Sequence, residues 1–246
     1  MRLLVLVVVV GCGSVSDKKV DARMADTSSP GDGSGGSDAS GLTCTTDMFD
    51  GTTLQTYWNT TQGGTPTYMV SGGKLVITDS PPATTPSNTN ESWLNNLDTD
   101  KGNQLAWPQA IGGQDFRVST HIDWNSTNAE LTWAGIAVAD AQGVMAAIVG
   151  ARDGGQGNAI PHAQLNFPGS DPDTTFGGTE EQPGAADFQI ERVNNVIRFY
   201  IDGIEVHSGA SSALISHAVI FHVPYRLNTT NYAFGTVEFT HIEVCK

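Results

Sequence analysis

The sequence predicts an all-β fold in which two antiparallel sheets pack face to face as a sandwich. The clearest indication is the segment 187–207, where apolar and polar residues alternate on either side of two short breaks. A period of two residues is typical of a strand with one buried face. The breaks, Asn194-Asn195 and Asp202-Gly203, are dipeptides that tolerate the positive φ angles of two-residue hairpin turns. We therefore expect a β-meander in this segment.

The composition of the chain also favours short strands and turns. Of 246 residues, 28 are Gly and 11 are Pro, and no window shows the 3.6-residue periodicity of a long amphipathic helix. About 200 residues follow a polar tail, which is the size of one large sandwich domain. The formal net charge is −14 and there is no basic stripe, which argues against nucleic acid as a partner.

Six further segments are predicted to be strands. The first alternates cleanly between apolar and polar side chains, whereas the second and third are apolar on both faces and are expected at the centre of a sheet. The last changes parity once, which indicates a β-bulge. The predicted strands are 116–124, 133–139, 144–151, 162–167, 218–223 and 236–245, and the predicted loops are 80–90, 153–157 and 168–186.

The start of the chain is typical of an export signal. One Arg precedes the apolar run 3–10, which is too short to span a bilayer because a spanning helix needs about 20 residues. The four residues that end at Cys12 resemble a bacterial lipobox, and cleavage after 1–11 would leave Cys12 as a lipidated terminus. An ordinary signal peptide and a buried strand are the alternatives. The resemblance implies a lipid-anchored protein of the bacterial cell envelope. In a Gram-negative cell, the absence of Asp directly after Cys12, where Gly13 stands, favours the outer membrane.

The segment 12–43 is expected to be a disordered tether that carries the lipidated Cys12 at its start. It consists mainly of Ser, Gly and Asp and has too little apolar surface to offset the entropy of ordering. A flexible coil of this length reaches roughly 30 Å. The folded domain is therefore predicted to span 44–246 and to stand clear of the membrane surface.

The two remaining cysteines, Cys44 and Cys245, lie at the two ends of that domain. In an oxidising compartment such a pair is most simply a disulfide, although two free thiols or a metal pair are alternatives. Closing a loop of about 200 residues stabilises a fold by about 5 kcal/mol at most. Because a disulfide requires Cα atoms within about 7 Å, the first and last strands are expected to be neighbours.

Four motifs resemble those of concanavalin A-like and laminin-G-like jelly-roll domains. They are the opening 47–50 with Trp58 downstream, a Gly72-Gly73 turn leading into 74–77, the hairpin 190–203, and the closing pattern Gly-x-Val-x-Phe-x-x-Ile-x-Val at 235–244. The resemblance extends over nearly all of 44–246. It implies a jelly-roll β-sandwich of two antiparallel sheets in which Phe49 and Trp58 close one end.

The same resemblance bears on catalysis. Laminarinase-type glucanases share this fold and carry Glu-x-Asp-x-Glu on one strand, because a retaining mechanism needs two carboxylates about 5 Å apart. No Glu in this sequence has an Asp two positions later, and there is no Gly-x-Ser-x-Gly motif. His217 and His222 are five apart, which places them on opposite faces of a strand. No catalytic residue is assigned, although Asp123 with a Glu of a neighbouring strand could form a non-standard pair.

A polar groove on the concave sheet is the predicted binding site. Aromatic rings beside planar hydrogen-bonding side chains are suited to glycans, whereas an ordinary solvated sheet is the alternative for each residue singly. The predicted ligand-binding residues are Arg117, His121, Asp123, Trp133, Arg152, His162, Gln164, Asn166, His222 and Tyr225, with Trp107 as a further neighbour.

A structural calcium ion is the one cofactor that the resemblance implies. Asp47 and Asp50 near the first strand are the candidate ligands, although an Asp that caps a turn explains both equally well. Three functions remain open at this point. They are a surface-anchored, non-catalytic lectin-like module, a sugar-active enzyme, and an envelope or adhesion protein that recognises a protein partner.

Overall fold

The structure is a computed structural model. It describes residues 41–56, 58–62, 67–78, 103–107, 110–112, 115–124, 132–153, 159–166, 173–176, 184–224 and 236–246. The predicted signal, Cys12, the tether up to residue 40 and the loop 80–90 lie outside these residues. A search of the described residues for a helix long and apolar enough to cross a membrane finds none.

All regular elements in the described part of the chain are strands, which confirms the all-β prediction. They are β1 (Cys44–Asp47), β2 (Asn59–Gln62), β3 (Thr67–Val70), β4 (Leu75–Thr78), β5 (Asn103–Ala106), β6 (Phe116–Trp124), β7 (Thr132–Asp140), β8 (Met145–Asp153), β9 (Ala159–Leu165), β10 (Asp173–Phe176), β11 (Gly184–Val193), β12 (Val196–Ile201), β13 (Ile204–Ala210), β14 (Ile215–Pro224) and β15 (Thr236–Cys245).

The described strands form two antiparallel sheets. An eight-stranded sheet has the order β13-β12-β11-β6-β15-β4-β3, with β1 also paired to β15. A seven-stranded sheet has the order β10-β9-β8-β7-β14-β5-β2. Their inner faces share one apolar core, to which Phe188, Phe199 and Phe239 contribute from the first sheet and Ile136 and Val149 from the second. This is the predicted jelly-roll sandwich.

The predicted hairpins follow from their turn residues. Asn194 and Asn195 join β11 to β12 with φ angles of 52° and 63°, and Asp202 and Gly203 join β12 to β13 with φ angles of 50° and 76°. Residues with positive φ at both turn positions give the twist that suits a two-residue hairpin. The side chain of Asp202 also accepts a hydrogen bond from the Asp187 backbone N–H at 2.8 Å, which ties the second turn to β11.

The two ends of the predicted domain meet, as the positions of Cys44 and Cys245 predicted. β1 and β15 pair antiparallel with Cys44 directly opposite Cys245, and their sulfur atoms are bonded at 2.09 Å. Thr43 and Lys246 extend the ladder with two backbone hydrogen bonds of 2.9 and 3.0 Å. The first and last strands are therefore neighbours, and β15 also contains the predicted bulge, between Phe239 and His241.

One loop prediction is wrong in part. The polar segment 168–186 contains β10, which pairs with β9 at the edge of the seven-stranded sheet, and the first residues of β11, which pair with β6. For β10 the polarity fits a sheet edge, where backbone hydrogen bonds define the strand. The prediction that none of the segment is core is also wrong, because Ala186 on β11 is buried in the main core. Residues 154–157 of the predicted loop 153–157 lie outside the described part of the chain, and residue 153 ends β8.

Removing the disulfide tests how strongly the joined ends stabilise the domain. The double substitution C44S/C245S should lower the free energy of unfolding by up to about 5 kcal/mol, because the unfolded chain regains the entropy of an open loop whose ends are 201 residues apart in sequence. Urea unfolding would measure the change. Reduced wild-type protein should unfold at the same lower midpoint, and an unchanged midpoint in the variant would contradict the role assigned to the bond.

Candidate functional site

The predicted groove residues do not share one sheet. Arg117, His121 and Asp123 lie on β6 in the eight-stranded sheet, whereas His162 and Gln164 lie on β9 in the seven-stranded sheet. The alternation predicted for each strand is observed, since the inner-face residues of both strands join the common core. The prediction that both strands build one concave face is wrong, because β6 pairs with β11 and β15 rather than with β8 or β9.

The three β6 residues each pair with a charged side chain on the outer face of the eight-stranded sheet. Arg117 donates to Glu243 at 3.0 Å and also lies 3.3 Å from the sulfur of Cys245. Nδ1 of His121 lies 2.7 Å from Asp187. This is the behaviour of an ordinary polar sheet face, in which charged side chains pair with each other at modest gain in stability.

Asp123 shares a cation with Glu238, its register partner on β15. Lys74 Nζ lies 2.5 Å from Glu238 and 3.9 Å from Asp123. The hydrogen bond to Glu238 is the main reason why the pKa of Lys74 is raised above its ordinary value. The two carboxylates therefore form a charge cluster with Lys74 at the solvent-facing side of this sheet.

His222 and Trp107 are inside the sandwich and not on a groove. His222 is fully buried on β14, and its Nδ1 donates a hydrogen bond of 3.0 Å to the carbonyl of Ile77 on β4 in the opposite sheet. Trp107 packs edge-on against Trp58, with ring centroids 5.2 Å apart. The prediction of groove positions is wrong for both residues. Trp107 belongs to the main core, and the even-numbered positions of β14, such as Ala218 and Ile220, face that core.

The outer face of the seven-stranded sheet carries an aromatic cluster. Trp133 packs edge-on against His162 on one side, at a centroid distance of 4.7 Å, and against Phe221 on the other, at 5.9 Å. All three side chains are buried, with Trp133 only 1% exposed. The cluster belongs to a second apolar group that is separate from the main core and also includes Ala137 and Ile148. The described part of this face is thus closed rather than an open polar groove.

Two glycines lie in the sheet between Phe221 and His162, the two side chains against which Trp133 packs. Gly135 lies opposite Phe221 and Gly150, and Gly150 lies opposite His162, so the four residues form one row across the sheet. A Cβ atom at Gly135 would lie 2.1 Å from the Val149 carbonyl oxygen, which excludes any side chain there. Glycine within an apolar strand often marks such a close approach, and that signal could have identified this site from the sequence.

A buried amide lies beside the aromatic cluster. Gln164 is 0% exposed and its Nε2 donates to Asn166 Oδ1 at 2.5 Å, while Asn166 Nδ2 donates to the Met145 carbonyl at 2.8 Å. Within the described part of the chain, Oε1 of Gln164 has no hydrogen-bond partner. A buried carbonyl oxygen that stays unpaired costs about 1–3 kcal/mol. The candidate site consists of Trp133, His162, Gln164, Asn166 and Phe221.

Two predicted ligand-binding residues cannot be assigned to this site from their side chains. The backbone of Arg152 on β8 lies opposite Trp133, but its side chain lies outside the described part of the chain. Tyr225 lies wholly outside it. Asn166, which is partly exposed, extends the site from the buried Gln164 toward the end of β9.

The structure favours the turn-capping alternative for Asp47. Its Oδ1 accepts the Phe49 backbone N–H and its Oδ2 accepts the Trp58 indole N–H, both at 2.8 Å. With both oxygens bound to donors, Asp47 fixes the buried pair Phe49 and Trp58, whose ring centroids lie 6.2 Å apart. Asp50 is exposed. Calcium at Asp47 and Asp50 stays a prediction.

A search of the described residues for metal-ligating groups found one cluster of three. It consists of Cys44, Cys245 and Glu243. The two sulfur atoms are joined in the disulfide and are therefore not available as thiolate ligands.

The buried position of His222 predicts a defined pH dependence of stability. Burial lowers the pKa of His222 from 6.5 to about 4, and the bond to the Ile77 carbonyl acts weakly in the other direction. The folded pKa lies below the unfolded one, so the stability associated with the neutral ring is fully present above pH 6.5. That contribution, about 3 kcal/mol, is lost as the pH falls from about 6.5 to about 4.

The variant His222→Gln should therefore lose less stability than the wild type over that pH range. Urea unfolding at several pH values between 7 and 4 would measure the difference. His217→Gln is the matched control, because His217 lies on the same strand but is only partly buried. Parallel pH profiles for the wild type and His222→Gln would show that the buried ring does not titrate as described.

Comparison with known proteins gives information on the fold. No protein-family model and no curated protein matches the sequence. Among solved structures, the chain is similar to the CBM2 module of an evolved Dit protein of Lactobacillus casei phage J-1, with 11% identity and a TM-score of 0.58 over 83% of this chain and 96% of that one.

Two further structures are similar at the same level. LamA of Zobellia galactanivorans, in complex with laminaritriose and laminaritetraose, has 11% identity and a TM-score of 0.55 over 82% of this chain and 97% of that one. A pseudo β-1,3-glucanase of Mycobacterium tuberculosis has 13% identity and a TM-score of 0.56 over 81% and 96%. The chain therefore has the concanavalin A-like jelly-roll fold of glucanase-like proteins.

Proposed function

We propose that this protein is a non-catalytic carbohydrate-binding module, displayed from the bacterial cell envelope, most simply the outer membrane, by a lipid on Cys12. The observation that carries the proposal is the aromatic and amide cluster on the outer face of the seven-stranded sheet. There the rings of Trp133 and His162 adjoin Gln164, whose Oε1 has no partner among the described residues. Rings beside a planar amide are typical of glycan sites.

A sugar hydroxyl is the kind of donor that this site lacks. Gln164 is 0% exposed and the described part of this face is closed, so a hydroxyl would reach Oε1 only when the face opens. The bond would then remove the cost of leaving a buried carbonyl oxygen unpaired. The Gln164–Asn166 pair leads from the buried centre of the face to a partly exposed position, so the glycan would approach at Asn166. The fold similarity to a module named for carbohydrate binding and to a protein solved with laminaritriose agrees with this class of ligand.

The distribution of carboxylates favours binding over hydrolysis. A retaining glycosidase needs two carboxylates about 5 Å apart at its substrate. The strands of the seven-stranded sheet contain no Glu, and their Asp residues, Asp140, Asp153 and Asp173, each stand at a strand end. The neighbouring pair Asp123 and Glu238 lies on the eight-stranded sheet, away from Trp133.

Replacing the buried amide by an isosteric apolar side chain tests the proposal. Gln164→Leu should weaken glycan binding by at least about tenfold, or about 1.4 kcal/mol, while thermal stability stays equal or rises because the unpaired oxygen is removed. A polysaccharide array followed by calorimetry with the best ligand would measure affinity. Gln189→Leu, on the outer face of the eight-stranded sheet, is the matched control and should bind normally.

Three other results would count against the proposal. Equal binding by Gln164→Leu and wild type would place the glycan elsewhere. A wild-type protein that binds no glycan would favour the adhesion alternative, in which the partner is a protein. Release of reducing sugar from a polysaccharide would favour the enzyme alternative.

A further inference from the structure

Two histidines face each other on the outer side of the eight-stranded sheet. His121 on β6 and His241 on β15 are register partners in adjacent strands. Residues directly opposite each other have Cβ atoms about 4.5–5.5 Å apart, so their rings can reach a common point. The adjacent residues Ile122 and Ile242 face the core, so the side chains of His121 and His241 both lie on the outer side of the sheet.

Both rings are already oriented through Nδ1. His121 Nδ1 lies 2.7 Å from Asp187 Oδ1, and His241 Nδ1 lies 3.1 Å from the Thr240 hydroxyl. A histidine that binds a metal usually donates its other ring N–H to a carboxylate or another acceptor, which fixes the tautomer. In the described residues no hydrogen bond is formed by Nε2 of either ring, so both Nε2 atoms are available as ligands.

The surrounding charges would be balanced by a divalent cation. The charged side chains on this face around the two rings comprise four acids and two bases, which leaves a surplus of two negative charges. They are Asp123, Asp187, Glu238 and Glu243, with Lys74 and Arg117.

We propose that His121 and His241 bind one divalent transition-metal ion of the zinc class through their Nε2 atoms, with Asp187 as the positioning residue for His121. Imidazole ligands favour zinc, copper and nickel over calcium and magnesium. Two Zn–N bonds of 2.0–2.1 Å at a tetrahedral angle place the nitrogens about 3.3 Å apart, which ring rotation across a register pair can provide. Water would fill the other coordination positions, so the proposed site is a two-histidine metal site at the protein surface.

This site is independent of the proposed glycan site. It lies on the outer face of the eight-stranded sheet, whereas Trp133 and Gln164 lie on the outer face of the other sheet. A failure of one proposal therefore leaves the other unaffected.

Calorimetric titration with Zn²⁺ alone tests the proposal. The full-length chain without a histidine tag, carrying Cys12→Ser so that no third cysteine competes for the metal, should bind one equivalent. His121→Gln and His241→Gln should each weaken binding by roughly tenfold or more, and Asp187→Asn by about tenfold. His217→Gln, which changes a partly buried histidine in the other sheet, should bind like the unsubstituted chain.

Nitrogen NMR of the imidazole rings provides a readout that a purely structural role would not change. Zn²⁺ should shift Nε2 of His121 and His241 in the unsubstituted chain and, at higher metal concentration, also in Asp187→Asn. Absence of binding, equal affinity in the His121 and His241 variants, or displacement of Zn²⁺ by equimolar Ca²⁺ would overturn the proposal. Melting curves without metal show that each variant is folded before it is titrated.

Discussion

The burial of both faces of the seven-stranded sheet is the constraint on which the rest of this structure depends. Ile136, Val149 and Ile220 face the eight-stranded sheet, while Ile148 and Val219 face the opposite way, and all five are fully buried. A strand buried on both sides accepts a polar side chain only where a partner compensates for its lost hydration. The incompletely paired Gln164 therefore indicates a candidate ligand contact, whereas the same side chain on a solvent-exposed face would bond water.

In the eight-stranded sheet only the inner face is buried, so its outer polar residues need no buried partner. Its outer residues satisfy one another in pairs such as Arg117 with Glu243, Lys74 with Glu238 and Tyr200 with Glu191. The sheet is completed by the last strand of the chain, which lies between β6 on one side and β1 and β4 on the other. Strands from both ends of the domain thus become neighbours, and the disulfide makes that contact covalent.

Much of the fold could be predicted because strand parity is a local property. The alternation of 116–124, the two hairpins near 194 and 202, and the bulge in 236–245 all follow from neighbouring residues. The disulfide was predictable for another reason, since two cysteines at the domain ends leave few alternatives in an oxidising compartment.

The site was harder to predict because it depends on which strands pair over long distances in the sequence. Parity correctly placed His121 and His162 away from the core of their own strands, but it carries no information about sheet membership. His222 shows the same limit, since a histidine on an apolar strand can face either way until its acceptor, the Ile77 carbonyl, is known. Asp47 is similar, because its two N–H donors are revealed only by the folded turn.

The central claim is that the sugar lies against the aromatic and amide cluster of the seven-stranded sheet. Proton–nitrogen correlation NMR of the full-length chain during titration with laminaritetraose tests it most directly. The indole N–H of Trp133 and the side-chain amide of Gln164 should shift together as the sugar is added, while the amide of Gln189 on the other sheet stays in place. Shifts confined to Gln189 and its neighbours on the eight-stranded sheet would contradict the claim.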